Sequence, residues 1–275
     1  AVDPRALSMR ELEELSRGYV RAIADHIGTN KDVPAPDVGT NGQIMEWMVD
    51  EYGKITGKPD EAAFTGKPVG KGGSEGREEA TGFGGYVVMK EYMGARTFAS
   101  GSESVTAAIQ GFGNVGQNIA RFIYEHGFKV IAVSDSKGGM CEPDGIDIPR
   151  LLEVKEKTGI IDRNKCYALS SHDMLCRDCS NASLLTLKTD ILIHAALENQ
   201  ITEQNAVHIQ ARVILEMANG PVTPEAEAIL FSKGIEIIPD ILANGGGVVG
   251  SYFEWVQSQA SDYWRKDRVL QAIEE

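Results

Sequence analysis

Residues 104–135 follow one another in an order that few folds accommodate. Ser104–Gln110 is a short apolar run of strand length, and Gly111-Phe112-Gly113-Asn114-Val115-Gly116 comes directly after it. Val115, Ile119, Phe122 and Ile123 then recur at helical spacing until Gly127. A second apolar run, Phe128–Ser134, ends at Asp135. Strand, glycine turn, helix, strand and acid together make the full setting of the GxGxxG dinucleotide fingerprint. Gly111 permits the tight turn, Gly113 lets the backbone approach a pyrophosphate, and Gly116 lets the helix pack closely on the sheet. The phosphates would sit at the positive end of the helix, facing unpaired N–H groups. A glycine turn that binds nothing is the plainer alternative, and the flanking strands and the spaced acid weigh against it. The expected cofactor contacts in this segment are Gly111, Gly113, Asn114, Val115 and Gly116.

Strand and helix patterns keep alternating from Ser104 to Pro239. Asp147–Lys157 reads as a short helix, Asp190–Ile193 as a buried strand, and Thr202–Gln210 as a capped helix. Val213–Leu215 and Ile235–Ile238 read as further strands, with a helix opened by Thr223-Pro224 between them. Such alternation predicts an α/β fold with a doubly wound, mostly parallel sheet of Rossmann type, its ligands at the carboxyl ends of the strands. Asp135, Asn219 and Asn244 fall at such ends and are candidate polar contacts to a cofactor. Asn219-Gly220 and Asn244-Gly245 also suit turns that use asparagine's tolerance of left-handed geometry.

The flanking segments are of a different kind. Ser8-Met9-Arg10-Glu11 is a capping box opening a helix whose apolar face runs from Leu12 to Ile27. Asp32-Val-Pro-Ala-Pro-Asp37 is stiffened by two prolines, and Thr40-Asn-Gly-Gln43 reads as a second capping box. Asp37 is thus held on a rigid loop just before a helix, where a carboxylate usually serves as a cap or turn acid. Residues 65–76 hold five glycines and read as a loop or hinge. Arg77–Met93 looks helical despite Gly82, Gly84 and Gly85, each costing about 1 kcal/mol relative to alanine. Close approach of a ligand and tight helix packing explain them equally well. A long helix starts near Val248 and leaves the nucleotide domain.

Composition removes several function classes. The net charge of −13 argues against nucleic acid or an anionic membrane as main partner. No apolar run approaches the ~18 residues of a membrane span, and no signal peptide is visible. Four cysteines in 275 residues make no disulfide framework, so we expect a cytoplasmic protein. Cys166, His172, Cys176 and Cys179 have a spacing that would suit tetrahedral zinc if their loop folded back. A variable loop with incidental thiols is the plainer account, and no metal is expected.

Taken in order, Asp32–Asn41, Thr65-Gly-Lys-Pro68, Gly72-Gly-Ser74, Gly76–Gly82, the fingerprint and Ala243–Val248 resemble the glutamate dehydrogenases of the Glu/Leu/Phe/Val dehydrogenase family, most nearly the archaeal hexameric type. The likeness covers nearly the whole chain. It implies two domains around a cleft. Residues 1–65 would be the later part of a substrate-binding, oligomer-building α/β domain, 66–244 the NAD(P) domain, and 245–275 helices returning to the first. It implies reversible oxidative deamination of L-glutamate to 2-oxoglutarate and ammonia, with hydride transfer to NAD or NADP, in a homo-oligomer, a hexamer by resemblance.

By the same likeness Asp37 is a catalytic proton carrier, Gly39 lies against the substrate, and Thr81 and Asn114 touch the nicotinamide end of the cofactor. Ser251 matches the serine that binds the substrate's side-chain carboxylate, which favours glutamate over leucine, phenylalanine or valine. The family's catalytic lysine lies upstream of a segment like Val2-Asp3-Pro4, so we expect a longer chain. Without that lysine, an inactive nucleotide-binding protein is the alternative from another class. Lys67 and Lys71 read as ordinary surface or hinge residues, and His194, where the family usually has proline, as structural. Asp135 suits a ribose 2′-OH and so NAD. Ser136 and Lys137 suit a 2′-phosphate, and the sequence leaves the choice open.

Overall fold

A computed structural model describes residues 2–37, 39–95, 104–163, 165, 167–169 and 177–275. The chain divides into two compact units, Ala1–Ala80 with Gly247–Glu275, and Thr81–Gly246. Both divisions fall within helices, Ala80–Gly94 and Gly246–Ala260.

The second unit is built on strands β1 (Thr106–Gln110), β2 (Lys129–Asp135), β3 (Gly138–Cys141), β4 (Arg177–Cys179), β5 (Ile191–His194), β6 (Val213–Glu216) and β7 (Glu236–Ile238). Their order across the sheet is β4-β3-β2-β1-β5-β6-β7. The five strands from β2 to β7 in that order pair in parallel, with β3 and β4 added antiparallel on one edge. This is the doubly wound sheet the alternation predicts. β1 lies at its centre, where the order turns from β2 on one side to β5 on the other. On one face Ala108, Leu192 and Ile214 pack against Leu184, Leu185, Ala206 and Leu230, all buried.

Three features depart from the expected pattern. The first is the β3–β4 edge, which escaped notice because Gly138-Gly139-Met140-Cys141 carries no alternation and β4 is only 3 residues long. Cys141 and Cys179 on these strands form a disulfide, with Cα atoms 5.6 Å apart. Cys179 is therefore occupied there, while Cys166, His172 and Cys176 lie outside the described residues. The second is the helix predicted for 202–210, which is shorter, Glu203–Ala206. The N–H groups of His208 and Ile209 bond three residues back, to Asn205 and Ala206, so the chain leaves as a tightened turn. The third concerns the glycines of helix Ala80–Gly94. A Cβ on Gly82 would sit 2.7 Å from Asn118 Cβ and 2.8 Å from the Ile119 nitrogen, and one on Gly85 would overlap the Met217 sulfur. At these two positions the glycines serve close packing within the unit.

In the first unit, helices Met9–Ile23 and Gly42–Thr56 enclose Val20, Ile44, Met45, Met48, Tyr52 and Phe64. The Ser8–Glu11 capping box forms as expected. The helix stops at Ile23, and Ile27 instead makes an isolated bridge to Asp32. No strand occurs among this unit's described residues. The second helix is capped by Asn41, whose Oδ1 accepts from the Ile44 N–H at 3.1 Å, in place of the predicted Thr40. Thr40 is already engaged with Asp37. Asn41→Ala is therefore expected to cost about 1 kcal/mol of stability, and Thr40→Val to leave this helix end unchanged. Thermal unfolding of the two variants side by side checks the pair.

The glycine-rich stretch 66–76, expected with the nucleotide domain, packs in the first unit. Glu254 is the reason. Its carboxylate accepts from the Gly66 and Lys67 N–H groups at 3.0 and 3.2 Å and from Lys67 Nζ at 2.8 Å. Both side chains are essentially inaccessible, at 1% and 0% exposure. Lys67 also donates to the Phe64 carbonyl at 2.5 Å. Lys67 is thus a core cation and no surface residue. Lys71, paired with Glu46 at 2.5 Å, is exposed as expected.

Candidate functional site

The exits of β1 and β5 define the first part of the site. Gly111 has φ +89°, a conformation open chiefly to glycine, and its Cα faces the Ala195 carbonyl with no room for a side chain. A Cβ on Gly116 would overlap the Gly111 carbonyl oxygen, so helix Asn114–Glu125 presses directly on the turn. Gly113 is different. It caps that helix with no side-chain hydrogen bond, and no heavy atom lies within 4 Å of where its Cβ would stand. An uncapped helix start beside open space offers both donors and room for a phosphate. The residues present fit the dinucleotide that the fingerprint implies.

Asn114 and Val115 open this helix. Asn114 Oδ1 accepts from Asn118 at 2.8 Å, and Asn118 accepts in turn from Arg121 at 3.0 Å. Asn118 is also what Gly82 packs against, so the first turn of helix Ala80–Gly94, with half-buried Thr81, stands beside the helix that Asn114 opens. Asn118 carried no sequence signal apart from its position one turn after the fingerprint.

Asp135 ends β2, and one of its carboxylate oxygens accepts from the Lys137 N–H at 2.8 Å. That bond folds the hairpin into β3 and leaves Ser136 and Lys137 exposed at its tip. Asn181 anchors the same corner, donating to the Asp135 carbonyl at 3.0 Å. Past β6, Asn219 and Asn244 meet side chain to side chain, Nδ2 of Asn244 donating to Oδ1 of Asn219 at 2.7 Å. Neither adopts the left-handed geometry that their Asn-Gly sequences allow; Asn199 does, at φ 54°. Glu216 at the end of β6 accepts from the Asp240 N–H at 3.0 Å, and burial pushes its carboxyl above the usual range.

His194 is buried at the end of β5. Its Nδ1 contacts Gln110 Oε1 at 2.8 Å, and burial lowers its pKa to about 4, so the ring is neutral at physiological pH. This agrees with a structural reading of His194 and adds a specific partner to it.

The first unit holds the other candidates. The exposed Asp37 closes a turn in which its N–H and C=O both bond the Thr40 hydroxyl, at 2.6 and 2.7 Å, and Gly39 in that turn has φ +81°. Ser251 lies in helix Gly246–Ala260, and its Oγ accepts from Arg77 Nε at 2.8 Å. Burial pulls the Arg77 guanidinium below its ordinary value, while the nearby Glu254 charge pulls it back up. Sequence reasoning missed Arg77. Its only signal was a cation between the glycine loop and the glycine-bearing helix.

A glycine turn at the switch point of a doubly wound sheet, an open helix start and polar side chains at the strand ends define a dinucleotide-binding unit of Rossmann type. Residues 72–275 match the family model for Glutamate/Leucine/Phenylalanine/Valine dehydrogenase, and residues 1–54 match its dimerisation domain. The chain belongs to the Glu/Leu/Phe/Val dehydrogenase family. It is 47% identical over 274 residues to the NADP-specific glutamate dehydrogenase of Synechocystis sp., covering 100% of this chain and 64% of that protein. It is 44% identical over 271 residues to the catabolic NAD-specific glutamate dehydrogenase of Bacillus subtilis, covering 98% and 61%. Among solved structures, the hetero-hexameric glutamate dehydrogenase of Thermus thermophilus in its Leu-bound form superposes with a TM-score of 0.90 at 35% identity, covering 100% of this chain and 62% of that one. The chain thus spans about three fifths of the length of these relatives. Among the described residues no helix is long and apolar enough to cross a membrane.

Proposed function

We propose that this chain is part of a glutamate dehydrogenase that interconverts L-glutamate with 2-oxoglutarate and ammonia, using NAD or NADP. The observation that carries the cofactor half is the open, uncapped helix start at Gly113 beneath the Gly111 turn. Gly111, Gly113, Val115 and Gly116 hold the pyrophosphate, Asp135 and Ser136 the adenosine ribose, and Thr81, Asn114, Asn219 and Asn244 the remainder. The cofactor supplies the hydride acceptor. NAD-specific and NADP-specific relatives stand at similar identity, 44% and 47%, so the preference stays NAD(P).

Ser251 and Arg77 support glutamate as the substrate. The Ser251 oxygen already accepts from Arg77, so the hydroxyl's own proton and the remaining guanidinium N–H groups are donors that suit a carboxylate and that an apolar side chain could not engage. Gly39, in the same turn as Asp37, lies against the substrate. Asp37 moves the protons as the imine forms and takes up water. Its turn fixes the backbone at an exposed position. Residues 1–80 and 247–275 belong to the substrate domain and 81–246 to the nucleotide domain, in place of the expected division at 65 and 245, and the assembly is a homo-oligomer, a hexamer by resemblance, in the cytoplasm.

The test uses a chain extended to the length of the relatives. Such a protein should reduce NAD or NADP with glutamate and not with leucine, phenylalanine or valine. Asp37→Asn should lower kcat about 10²–10⁴-fold, the usual loss when a general acid–base is removed, with cofactor affinity unchanged. Turnover by Asp37→Asn within a few-fold of the parent would remove Asp37 from the chemistry.

A further inference from the structure

We propose that His194 is a positioning residue for the phosphate-binding turn, acting through Gln110 as the inner end of a one-directional hydrogen-bond chain that begins at Glu198. The chain's polarity is fixed at its outer end. The Glu198 carbonyl can only accept, so the Gln200 side-chain nitrogen, 3.1 Å away, donates to it. Gln200 then presents its oxygen to Gln110 Nε2 at 3.0 Å. Gln110 in turn presents Oε1 to His194 Nδ1 at 2.8 Å. The ring nitrogen facing that oxygen must carry the proton, so a single tautomer, Nδ1–H, satisfies all three bonds. Nε2 is the bare nitrogen. It is buried and has no hydrogen-bond partner among the described residues. His194 is thus held through Nδ1 alone.

What the chain holds is the turn. Gln110 and His194 are register partners on the adjacent parallel strands β1 and β5. The Gln110 carbonyl accepts from the Ala195 N–H at 2.8 Å, and Gly111, the next residue, has its Cα against the Ala195 carbonyl. The His194 carbonyl accepts from both the Met217 and Ala218 N–H groups, at 2.7 and 2.8 Å, tying the exit of β6 to the same point. Gln110 is 2% exposed, so without His194 its oxygen would be desolvated and unpaired. That penalty falls at the end of β1 and favours its displacement, and that of Gly111 with it. The neutral ring keeps a charge out of this buried junction.

The inference rests on the dinucleotide-binding reading of this unit, and the experiment separates the two. NAD and NADP affinities are measured by fluorescence titration on the whole chain and on His194→Asn, His194→Gln and Gln200→Leu. Asparagine carries its amide nitrogen where Nδ1 stands, whereas glutamine carries it where Nε2 stands. His194→Asn should bind within about threefold of the parent. His194→Gln and Gln200→Leu should bind about tenfold or more weakly, the size of one lost buried hydrogen-bond partner. A residue that only fills space would not distinguish asparagine from glutamine, so equal affinities for those two variants overturn the proposal. Gln200 is only partly buried, so its variant carries the test if the histidine variants do not fold. Nitrogen-15 spectra of the unliganded chain should show His194 as the Nδ1–H tautomer from pH 6 to 8, and an Nε2–H ring would also overturn it. If the parent chain itself binds neither NAD nor NADP, the functional reading fails. The tautomer measurement still decides the polarity of the chain.

Discussion

Gly113→Val is expected to abolish NAD(P) binding while leaving the chain folded. Gly113 has φ −79°, which any residue adopts, and the space around its Cα is open, so the fold accepts a side chain there. That space is where the phosphates approach the helix N–H groups. Hydrogen bonds to charged groups contribute about 1.5–3 kcal/mol each, so losing two lowers affinity on the order of 100-fold or more. Stability should change by about 1 kcal/mol at most, because valine is a poorer cap than glycine.

Gly116→Val, three residues on, should instead destabilise the fold, and weaken binding through the turn it displaces. Its side chain would overlap the Gly111 carbonyl, and overpacking of this kind costs about 1–3 kcal/mol or more. Titration with NAD and NADP alongside thermal unfolding distinguishes the two. Equal titration curves for the parent and Gly113→Val would remove the turn from the binding site.

The second large effect is expected at Lys67 and Glu254. Their side chains are almost wholly buried, and both carry formal charge. Among the described residues, Lys67→Met leaves the Glu254 carboxylate with two backbone donors, and Glu254→Leu leaves an ammonium with the Phe64 carbonyl. Breaking a buried pair from one side costs about 3–5 kcal/mol, whereas replacing both members by apolar residues is often neutral. Each single variant should therefore lose most of the stability of the first unit, and the double variant should recover much of it. A double-mutant cycle by denaturant unfolding measures this. Additive losses in the double variant would mean that the two charges do not sustain one another. The pair also fixes which unit the glycine-rich stretch joins, since the Gly66 and Lys67 N–H groups are tied to a carboxylate in helix Gly246–Ala260.

Much of the fold was legible because its signals are local. A strand that is buried on both faces reads as an apolar run, a helix as a 3.6-residue period, and a phosphate turn as glycines at fixed spacing. β1, the Gly111–Gly116 turn, helix Asn114–Glu125 and β2 were therefore placed to within one or two residues. β3 and β4 were not, because two glycines and a 3-residue strand pair only where an edge is offered to them. Thr40 and Asn41 show the same limit at finer scale. Both residue types cap helices, and the choice fell to Asn41 because Thr40 closes the Asp37 turn.

By itself, the sequence determined the parallel α/β unit, its glycine turn, and the identity of the residues at the strand ends. The tertiary structure alone decided what the polar residues do. Lys67 finds Glu254 across 187 positions, Arg77 finds Ser251 across 174, and His194 finds Gln110 across 84. Cys141 and Cys179 are joined across 38. A backbone conformation is set by each residue and its near neighbours. The burial of a charge or a ring nitrogen depends on which distant group the fold brings within about 3 Å of it, and no local window of sequence contains that group.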